Sequence, residues 1–329
     1  MKLLVTGGLG FIGSNFIINT LSKYPEYEIT NIDAELPGSN HKNLESIKKN
    51  SSYNFVKGNI TNKAVMEKLI QNCDLIVNFA AESFVDRSIL DANPFLVSNI
   101  RGTYTILDII KNQNKKFIHI STDEVFGSLE NDSADENFKF NPSNPYAATK
   151  ASAELLINSY NTTYDTDCII TRCTNNYGPM QFPEKLIPKT ILLASQGKKI
   201  PVYGNGKNIR DWIFVKDHCD AILSVIENGN SQESYNISAH NAVSNIDIVK
   251  KILSNMDLTL DLIEFVDDRP GHDLRYALDS SKIRNELKWS ESRNFDDGLQ
   301  ETIDWYLNNN EWSNEIPSDI FTSSTPWKN

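Results

Sequence analysis

The residues of this sequence best suited to chemistry are a tyrosine and a lysine four positions apart. Tyr146 and Lys150 follow Asn144-Pro145, which is typical of a helix N-cap and first helical position. Residues four apart lie on one face of a helix, so the two side chains are expected side by side. Because an ammonium beside a phenol favours the phenolate, we expect Tyr146 to act as a base and Lys150 to lower its pKa.

A pair of adjacent acids forms the second group. Asp123 and Glu124 end the segment Ser121-Thr122-Asp123-Glu124, which directly follows a predicted strand. Parallel sheets carry their ligands beyond the carboxyl ends of their strands, and two acids placed there can divide the roles of acid and base. Each group alone has an ordinary alternative, since a tyrosine–lysine pair is common on solvated helix faces and acids after a strand often cap helices.

The elements that must position these residues are predicted from short β-rich runs that alternate with helical patterns up to about residue 175. Strands separated by crossovers of helix length indicate an α/β fold, a doubly wound parallel (Rossmann) sheet with helices on both faces. The predicted strands cover residues 2–6, 28–33, 53–57, 74–78, 116–121 and 167–172.

A glycine-rich turn follows the first predicted strand. Gly7, Gly10 and Gly13 have GxxGxxG spacing at the start of a helix, where backbone N–H groups can approach a pyrophosphate. Asp33 ends the second predicted strand, where a carboxylate accepts hydrogen bonds from ribose hydroxyls and repels a 2′-phosphate. The pattern therefore predicts NAD rather than NADP, with ordinary turn residues as the alternative interpretation.

The rhythm of the sequence changes after Asn175, where prolines and glycines punctuate shorter elements. We expect an NAD-binding domain over residues 1–175, a smaller mixed α/β substrate lobe over residues 176–315 and an extended tail over residues 316–329. A strand at 212–215, a helix at 216–227 and a strand at 235–237 are candidates to return to the first sheet. The first domain would then also receive about residues 209–238.

Composition excludes several classes of protein. A formal net charge of −11 argues against a nucleic-acid partner, because such affinity comes from clustered Lys and Arg. The four cysteines include no CxxC pair, the five histidines lack metal-ligand spacing, and no 18-residue apolar stretch or signal-peptide pattern occurs. We therefore expect a cytoplasmic protein without a metal ion and without a membrane partner.

Nine short segments, occurring together and in order, carry a family resemblance. They are residues 7–14, 80–83, 85–88, 121–127, 146–150, 175–179, 181–188, 210–212 and 268–273. With them the chain, from residue 1 to about 312, resembles the extended short-chain dehydrogenase/reductase family and, within it, the dTDP-glucose 4,6-dehydratases. Sugar 4-epimerases share the glycines and the tyrosine–lysine pair but typically lack the paired acids, so Asp123-Glu124 discriminates between the two.

The resemblance implies a lyase that dehydrates dTDP-glucose to dTDP-4-keto-6-deoxyglucose. Tyr146 would take the C4 hydroxyl proton while the C4 hydride moves to NAD, which makes the C5 hydrogen acidic. Glu124 would remove the C5 proton and Asp123 would protonate the departing C6 hydroxyl, after which the hydride returns to C6. Thr122 would hydrogen-bond the C4 oxygen of the sugar.

The resemblance also implies two sets of binding residues. The cofactor set is Gly7, Gly10, Phe11, Ile12, Gly13, Asp33, Asn59, Ile60, Ala80, Ala81, Ser98, Tyr146, Lys150 and Asn176. The substrate set is Ser83, Thr122, Asn175, Lys185, Leu186, Pro201, Tyr203, Arg210, Asn245, Arg269 and His272. The cations in the second set suit a nucleoside diphosphate.

Two departures from the family pattern bear on specificity. Phe84 stands where the family usually has His, which removes a polar contact near the substrate. Asn59 replaces an Asp near the adenine but retains a carbonyl acceptor for the adenine amino group. The sequence leaves open an epimerase or dehydratase of another nucleotide sugar, such as a UDP-hexose, and a non-catalytic NAD-binding protein.

A homodimer is a further expectation from the resemblance, because the family associates through helices in the region after Tyr146. Small residues, Ala147, Ala148, Ala151 and Ala153, permit close packing there. Packing of the same helix against the sheet of its own chain is the alternative.

Overall fold

The computed structural model describes residues 1–313, 316, 318–321 and 325–328. Its centre is a seven-stranded sheet, all of whose neighbouring strands are parallel, in the order β10-β6-β5-β4-β1-β2-β3. Its strands are β1 (Lys2–Thr6), β2 (Glu28–Asp33), β3 (Tyr53–Lys57), β4 (Leu75–Asn78), β5 (Lys116–Thr122), β6 (Cys168–Cys173) and β10 (Ser234–Ile237). The predicted doubly wound Rossmann fold is thereby confirmed.

The helices before the second lobe cover both faces of this sheet. They are α1 (Phe11–Lys23), α2 (Lys63–Gln71), α3 (Val85–Leu90), α4 (Asn93–Phe95), a π-helix (Leu96–Arg101), α5 (Gly102–Ile110) and α6 (Pro145–Tyr164). Two clusters of buried apolar side chains lie on opposite faces of the strands, one including Val5 and the other including Leu4. Burial on both faces explains the near-continuous apolar runs that marked the strands in the sequence.

The six strands predicted from the sequence all lie in the large sheet. The first three have the predicted bounds, and the other three differ by one residue at one or both ends. Such shifts are normal because strand ends depend on individual hydrogen bonds.

A second group of elements begins where β6 ends. A three-stranded sheet contains β7 (Asn175–Tyr177), β9 (Ile209–Phe214) and β11 (Ala242–Ser244), and a two-stranded sheet contains β8 (Ile200–Tyr203) and β12 (Ile263–Val266). The associated helices are α7 (Leu186–Ser195), α8 (Val215–Asn228), α9 (Asn245–Asn255), α10 (Ser281–Leu287), α11 (Phe295–Asn308) and α12 (Asn310–Ser313).

One element of the segment 209–238, strand β9, does not lie where the sequence predicts it. The helix α8 packs against α1, and β10 pairs with β6 at the edge of the large sheet. The strand β9, however, does not return to that sheet, because β10 occupies the place beside β6. Instead β9 pairs with β7 and β11, and buries Trp212 and Phe214 in a separate apolar cluster.

The prediction of an extended tail is wrong for its described part. Residues Ser318–Phe321 and Pro326–Lys328 form two short 3-10 turns. The ring of Trp327 is buried and meets the ring of Tyr203 edge-on, with 4.6 Å between centroids. An aromatic side chain that can bury its area outweighs the local bias of a Ser/Pro-rich composition. The other tail residues, 317, 322–324 and 329, lie outside the described residues.

No helix in the described ranges is long and apolar enough to span a bilayer.

Candidate active site

Two adjoining cavities open at the carboxyl ends of the strands. The first, of about 280 Å³, runs from the turn after β1 to the end of β5, and the second, of about 150 Å³, lies against the smaller lobe. Six residues line both cavities, which makes them one continuous site. They are Phe84, Glu124, Asn175, Asn176, Gln181 and Lys185.

The glycine turn forms one end of the first cavity. Gly7 has a φ of +70°, and a Cβ there would lie 2.6 Å from the backbone nitrogen of Ala80. A Cβ on Gly13 would lie 2.5 Å from the carbonyl oxygen of Gly7. Only glycine therefore fits at these two positions, and α1 begins directly behind the turn with its free N–H groups towards the cavity.

Asp33 lies beside this turn at the end of β2. Its Oδ2 accepts a hydrogen bond from the backbone N–H of Leu9 at 3.0 Å, and its Oδ1 accepts from Glu35 N and Ser39 Oγ, each at 2.8 Å. The carboxylate is thus held by the loops on both sides of it, at the rim of the cavity. A negative charge fixed there disfavours a second negative group such as a 2′-phosphate.

Tyr146 and Lys150 face the same cavity from α6. The helix begins with Asn144 as N-cap, whose Oδ1 accepts from Ala147 N at 2.9 Å, and with Pro145 in the first position. Both side chains are buried. Burial lowers the pKa of Lys150 to about 8. Its Nζ donates to the carbonyl oxygen of Ile120 at 2.6 Å.

The expectation that Lys150 lowers the pKa of Tyr146 is not met in the protein alone. Burial, and next the nearby charge of Glu124, raise the pKa of Tyr146 well above its ordinary value, against a smaller lowering by the Thr122 side chain. Loss of solvation disfavours the phenolate more strongly than neighbouring protein groups favour it.

Asp123 and Glu124 occupy a 3-10 turn, Asp123–Phe126, directly after β5. Thr122 caps this turn: its Oγ1 accepts from Glu124 N at 3.3 Å and donates to Asp123 Oδ1 at 3.1 Å. The other oxygen, Asp123 Oδ2, is buried without a hydrogen-bond partner among the described residues. Burial, and next the charge of Glu124, raise the pKa of Asp123 well above its ordinary value.

Glu124 has a different environment. Its Oε2 accepts from Asn144 Nδ2 at 3.2 Å and lies 3.4 Å from the hydroxyl of Tyr276, and the residue is only partly buried. The two neighbouring carboxyl groups thus lie in unlike surroundings: burial favours the neutral form of Asp123, whereas Glu124 is partly exposed and hydrogen-bonded.

Cationic side chains converge on the second cavity. Arg269 forms an ion pair with Asp86 at 3.0 Å, and Lys185 Nζ donates to Ser83 O at 2.9 Å. Arg210 stacks over the ring of Tyr276. Burial and the nearby arginines lower the pKa of His272 to about 4, so its ring is neutral at neutral pH. Together these donors suit a buried diphosphate.

Every residue of the two predicted sets lines one of the cavities or both. The whole cofactor set lines the first cavity, and Ser83 and Thr122 of the substrate set line it as well. The second cavity takes the rest of the substrate set, with Asn175 and Lys185 shared. Asn59 Oδ1 is already occupied, because it accepts from Thr61 N and Thr61 Oγ1 at 2.9 and 2.8 Å. Its expected contact to adenine through that oxygen is therefore not available without breaking these bonds.

Sequence reasoning missed two residues that line the site, Asp86 and Tyr276, and one that lies behind it, His119. Asp86 pairs with Arg269 and accepts from the hydroxyl of Tyr203 at 3.1 Å. Tyr276 donates to Asp273 at 2.6 Å beside Glu124. His119 lies 3.2 Å from Lys150 Nζ. Asp86 stands within the matching segment 85–88 and could have been found there, whereas the other two carry no spacing signal.

Phe84 forms the wall between the two cavities. Its ring meets that of Phe182 edge-on at 5.6 Å, and the cations of Arg87 and Lys185 lie 4.6 and 5.2 Å from its centre. The residue that departs from the family pattern therefore acts here as an aromatic surface for two cations rather than as a hydrogen-bonding group.

Comparison with known proteins gives the chain its family. The model of the family described as GDP-mannose 4,6 dehydratase matches residues 4–302. The low-salt glycan biosynthesis protein Agl12 of Haloferax volcanii is 44% identical over 94% of this chain and 100% of its own length. The dTDP-glucose 4,6-dehydratase of Salmonella typhimurium is 39% identical over 98% of this chain and 97% of its own.

A solved structure gives the same result. The dTDP-glucose 4,6-dehydratase DesIV of Streptomyces venezuelae, with NAD and TYD bound, superposes with a TM-score of 0.93 at 40% identity, covering 95% of this chain and 98% of that one. The family model, the sequence identities and the fold agree, and the chain belongs to the nucleotide-sugar 4,6-dehydratase family.

Proposed function

We propose that this protein is an NAD-dependent lyase that converts dTDP-glucose to dTDP-4-keto-6-deoxyglucose and water. The observation that carries the proposal is the pair Asp123 and Glu124, one buried with a raised pKa and the other partly exposed, in the same cavity as Tyr146. An oxidation needs only Tyr146 and Lys150. The two acids add the groups that an elimination requires.

The residues of the first cavity fit NAD. The glycine turn leaves no room for a Cβ where a pyrophosphate has to approach, and Asp33 presents a fixed carboxylate to a ribose. When bound, NAD supplies the hydride acceptor, and the positive charge of its oxidised nicotinamide favours the phenolate of Tyr146. The full set of cofactor residues proposed from the sequence stays a proposal.

In the first half of the reaction, Tyr146 accepts the proton of the C4 hydroxyl. Thr122 Oγ1 lies in the same cavity, and its hydroxyl hydrogen, which points at Asp123 Oδ1 in the protein alone, turns to the C4 oxygen, on which negative charge develops. Lys150 stabilises the phenolate from behind. Because these groups are held by α6 and β5, the hydroxyl is oriented before the hydride leaves.

In the second half, Glu124 removes the C5 proton, which the new C4 carbonyl has made acidic. Asp123 gives its proton to the departing C6 hydroxyl, which leaves as water. The buried, unpartnered Oδ2 of Asp123 supports this role, because a carboxyl kept neutral by its surroundings still carries the proton to be donated. Glu124 then returns a proton to C5 as the hydride reaches C6, and the C4 oxygen remains a carbonyl. The proton that Tyr146 took from the C4 hydroxyl is released to solvent and Asp123 regains one from there, so both groups are restored for the next cycle.

The second cavity would hold the nucleotide. Lys185, Arg210 and Arg269 supply positive charge for the diphosphate, and Tyr203 and His272 form part of the wall where a base would lie. Asp86 keeps Arg269 in place by an ion pair with 3.0 Å between Nη1 and Oδ1. Fixed donors reduce the entropy that is lost on binding.

The direct test is turnover of dTDP-glucose by the purified protein, followed by mass spectrometry for the loss of one water. UDP-glucose and GDP-mannose serve as competing substrates at equal concentration. We expect dTDP-glucose to have the highest kcat/KM. Faster dehydration of another nucleotide sugar would change the assigned substrate but keep the assigned reaction. An epimerised product without loss of water would overturn the dehydratase assignment itself.

We further propose a cytoplasmic homodimer whose interface includes α5 and α6. Three large apolar side chains are exposed on these helices, Tyr104 at 45%, Leu155 at 59% and Tyr164 at 45%. Burying them would offset part of the cost of association. Light scattering after size exclusion should give twice the mass of one chain, and Leu155→Asp should shift it towards the monomer. A monomeric parent protein would contradict the proposal.

A further inference from the structure

A row of buried polar side chains runs across the large sheet behind the active site. Thr6 on β1, Asn78 on β4 and His119 on β5 are partners in the strand register, so their side chains lie side by side. Thr6 Oγ1 donates to Asn78 Oδ1 at 2.6 Å, and Asn78 Nδ2 lies 3.1 Å from His119 Nδ1. All three side chains are at most 1% exposed. Three aligned polar residues in a buried sheet interior need a reason.

The row ends at Lys150. Among the described residues, the hydrogen-bond partners of Lys150 Nζ are Ile120 O at 2.6 Å and His119 Nε2 at 3.2 Å. Glu154, one turn further along α6, is already engaged by the guanidinium of Arg172 and by Ser121 Oγ. The other titratable groups close to Lys150 or to its partner tyrosine come from α6, β6 and the turn after β5: Tyr146, Glu154, Cys173, Asp123 and Glu124.

Counting protons shows that this row has two arrangements. In the recorded one, Thr6 donates to Asn78 Oδ1 and the amide of Asn78 donates to His119 Nδ1. A neutral imidazole then carries its one hydrogen on Nε2, which points at Lys150, and the lysine must accept it as a neutral amine. If Lys150 is an ammonium, Nε2 must accept instead, so Nδ1 carries the hydrogen and the amide of Asn78 has to turn its oxygen towards it.

We propose that His119 is a positioning residue that couples the charge of Lys150 to the tautomer of its own ring and to the orientation of Asn78. The inference rests on the proposed function, because it concerns the lysine that supports Tyr146. A switch of tautomer lets the ring of His119 accept from the ammonium or donate to the neutral amine, so the hydrogen bond between His119 and Lys150 is kept in both charge states.

The surroundings of the row support this role. The pKa of Lys150 is lowered to about 8 and that of His119 is held well below its ordinary value, both mainly by burial, so the lysine titrates while the imidazole stays neutral. The far end closes on the backbone, where Thr6 Oγ1 accepts from Ala80 N at 3.3 Å.

The tautomer of His119 can be measured directly by ring-nitrogen NMR on uniformly ¹⁵N-labelled protein, with the signal of His119 among the five histidines identified from a His119→Gln sample. We expect the Nδ1–H tautomer at pH 6.5 and the Nε2–H tautomer at pH 9.5. In Lys150→Met the ring should keep one tautomer throughout. A single tautomer in the parent protein over this range, or an imidazolium cation at pH 6.5, would overturn the proposal.

Steady-state kinetics supply a second readout that a merely structural role would not give. In His119→Leu the ammonium loses one of its two acceptors, so we expect kcat to fall about tenfold, the factor for one pKa unit, and the loss to grow between pH 7 and 9 with KM unchanged. His119→Gln, which retains an amide oxygen for Lys150, should recover most of the rate. A pH-independent loss, equal in both variants, would refute the coupling.

The two experiments separate this proposal from the proposed function. If the tautomer switches with pH but no nucleotide sugar is turned over, the coupling between His119 and Lys150 is supported and the assigned activity is wrong. If dTDP-glucose is dehydrated but the tautomer is fixed, the activity stands and the row has only a packing role.

Discussion

Replacement of Asp123 by Asn tests the division of labour between the two acids. The amide has the shape of the carboxyl group, and the side chain is 4% exposed in the parent protein, so packing should be preserved. What the variant loses is the proton on Oδ2, the atom that has no partner among the described residues. General acid catalysis contributes about 10² to 10⁴ in rate, so we expect kcat to fall by that factor.

The step that is lost can be observed directly. Oxidation at C4 does not involve Asp123, so in Asp123→Asn it should still proceed, and reduced nicotinamide should accumulate on the protein as absorbance when dTDP-glucose is added. The exposed acid Asp132 offers a matched control, because Asp132→Asn makes the same chemical change away from the cavities. A full rate of dehydration in Asp123→Asn, or a slow reaction without any reduced cofactor, would refute the assigned role.

The same variant has a consequence for stability. The pKa of Asp123 is raised in the folded protein, so the folded state binds more protons than the unfolded state between the two pKa values. The contribution of this group to stability is therefore present at low pH and is lost as the pH rises through the folded pKa. Asp123→Asn escapes that loss, so its Tm relative to the parent protein should rise from pH 4 to pH 7. A constant difference would show that the carboxyl is ionised in the folded state.

Three further variants test other parts of the site. Tyr146→Phe should prevent the oxidation, with at least about a hundredfold loss of kcat and no reduced cofactor in a single turnover, whereas NAD binding measured by calorimetry should remain. Asp33→Ser should narrow the ratio of NAD to NADP affinity by removing the charge that repels a 2′-phosphate; an unchanged ratio would contradict the role of Asp33. Glu154→Gln breaks a buried ion pair with Arg172, in which Oε2 and Nη2 are 2.7 Å apart, and should lower the free energy of unfolding by about 3 kcal/mol in urea titrations. Glu45→Gln, which breaks an exposed ion pair with Lys48, is the control and should change the free energy of unfolding by an amount near zero.

The positions of the strands in the first half followed from local patterns. Buried parallel strands are apolar on both faces and are separated by amphipathic helices, so a short run of neighbouring residues is enough to locate each strand. The same is true of the glycine turn and of Asp123 and Glu124, which sit at strand ends and are placed by the strand before them. Local sequence was sufficient because each of these residues is positioned by its own element.

Other features depend on residues far apart in the chain. Strand β9 lies outside the large sheet because β10 occupies the edge beside β6. Asp86 joins the site only because Arg269 reaches it from the second lobe, and His119 meets Lys150 only because α6 crosses β5. The raised pKa of Tyr146 has the same origin, because the burial that causes it is a property of the whole fold.

The return of β10 to the edge of the large sheet has a consequence for how the molecule can come apart. The chain leaves the sheet after β6, builds part of the smaller lobe and then comes back with α8 and β10. These two elements bury side chains such as Ile222 and Tyr235 in the same apolar cluster as Val5. A fragment that stops at residue 175 would expose that cluster along one edge and one face. Unfolding of cofactor and substrate halves should therefore be a single cooperative event, and proteolysis between them should not release a stable nucleotide-binding piece.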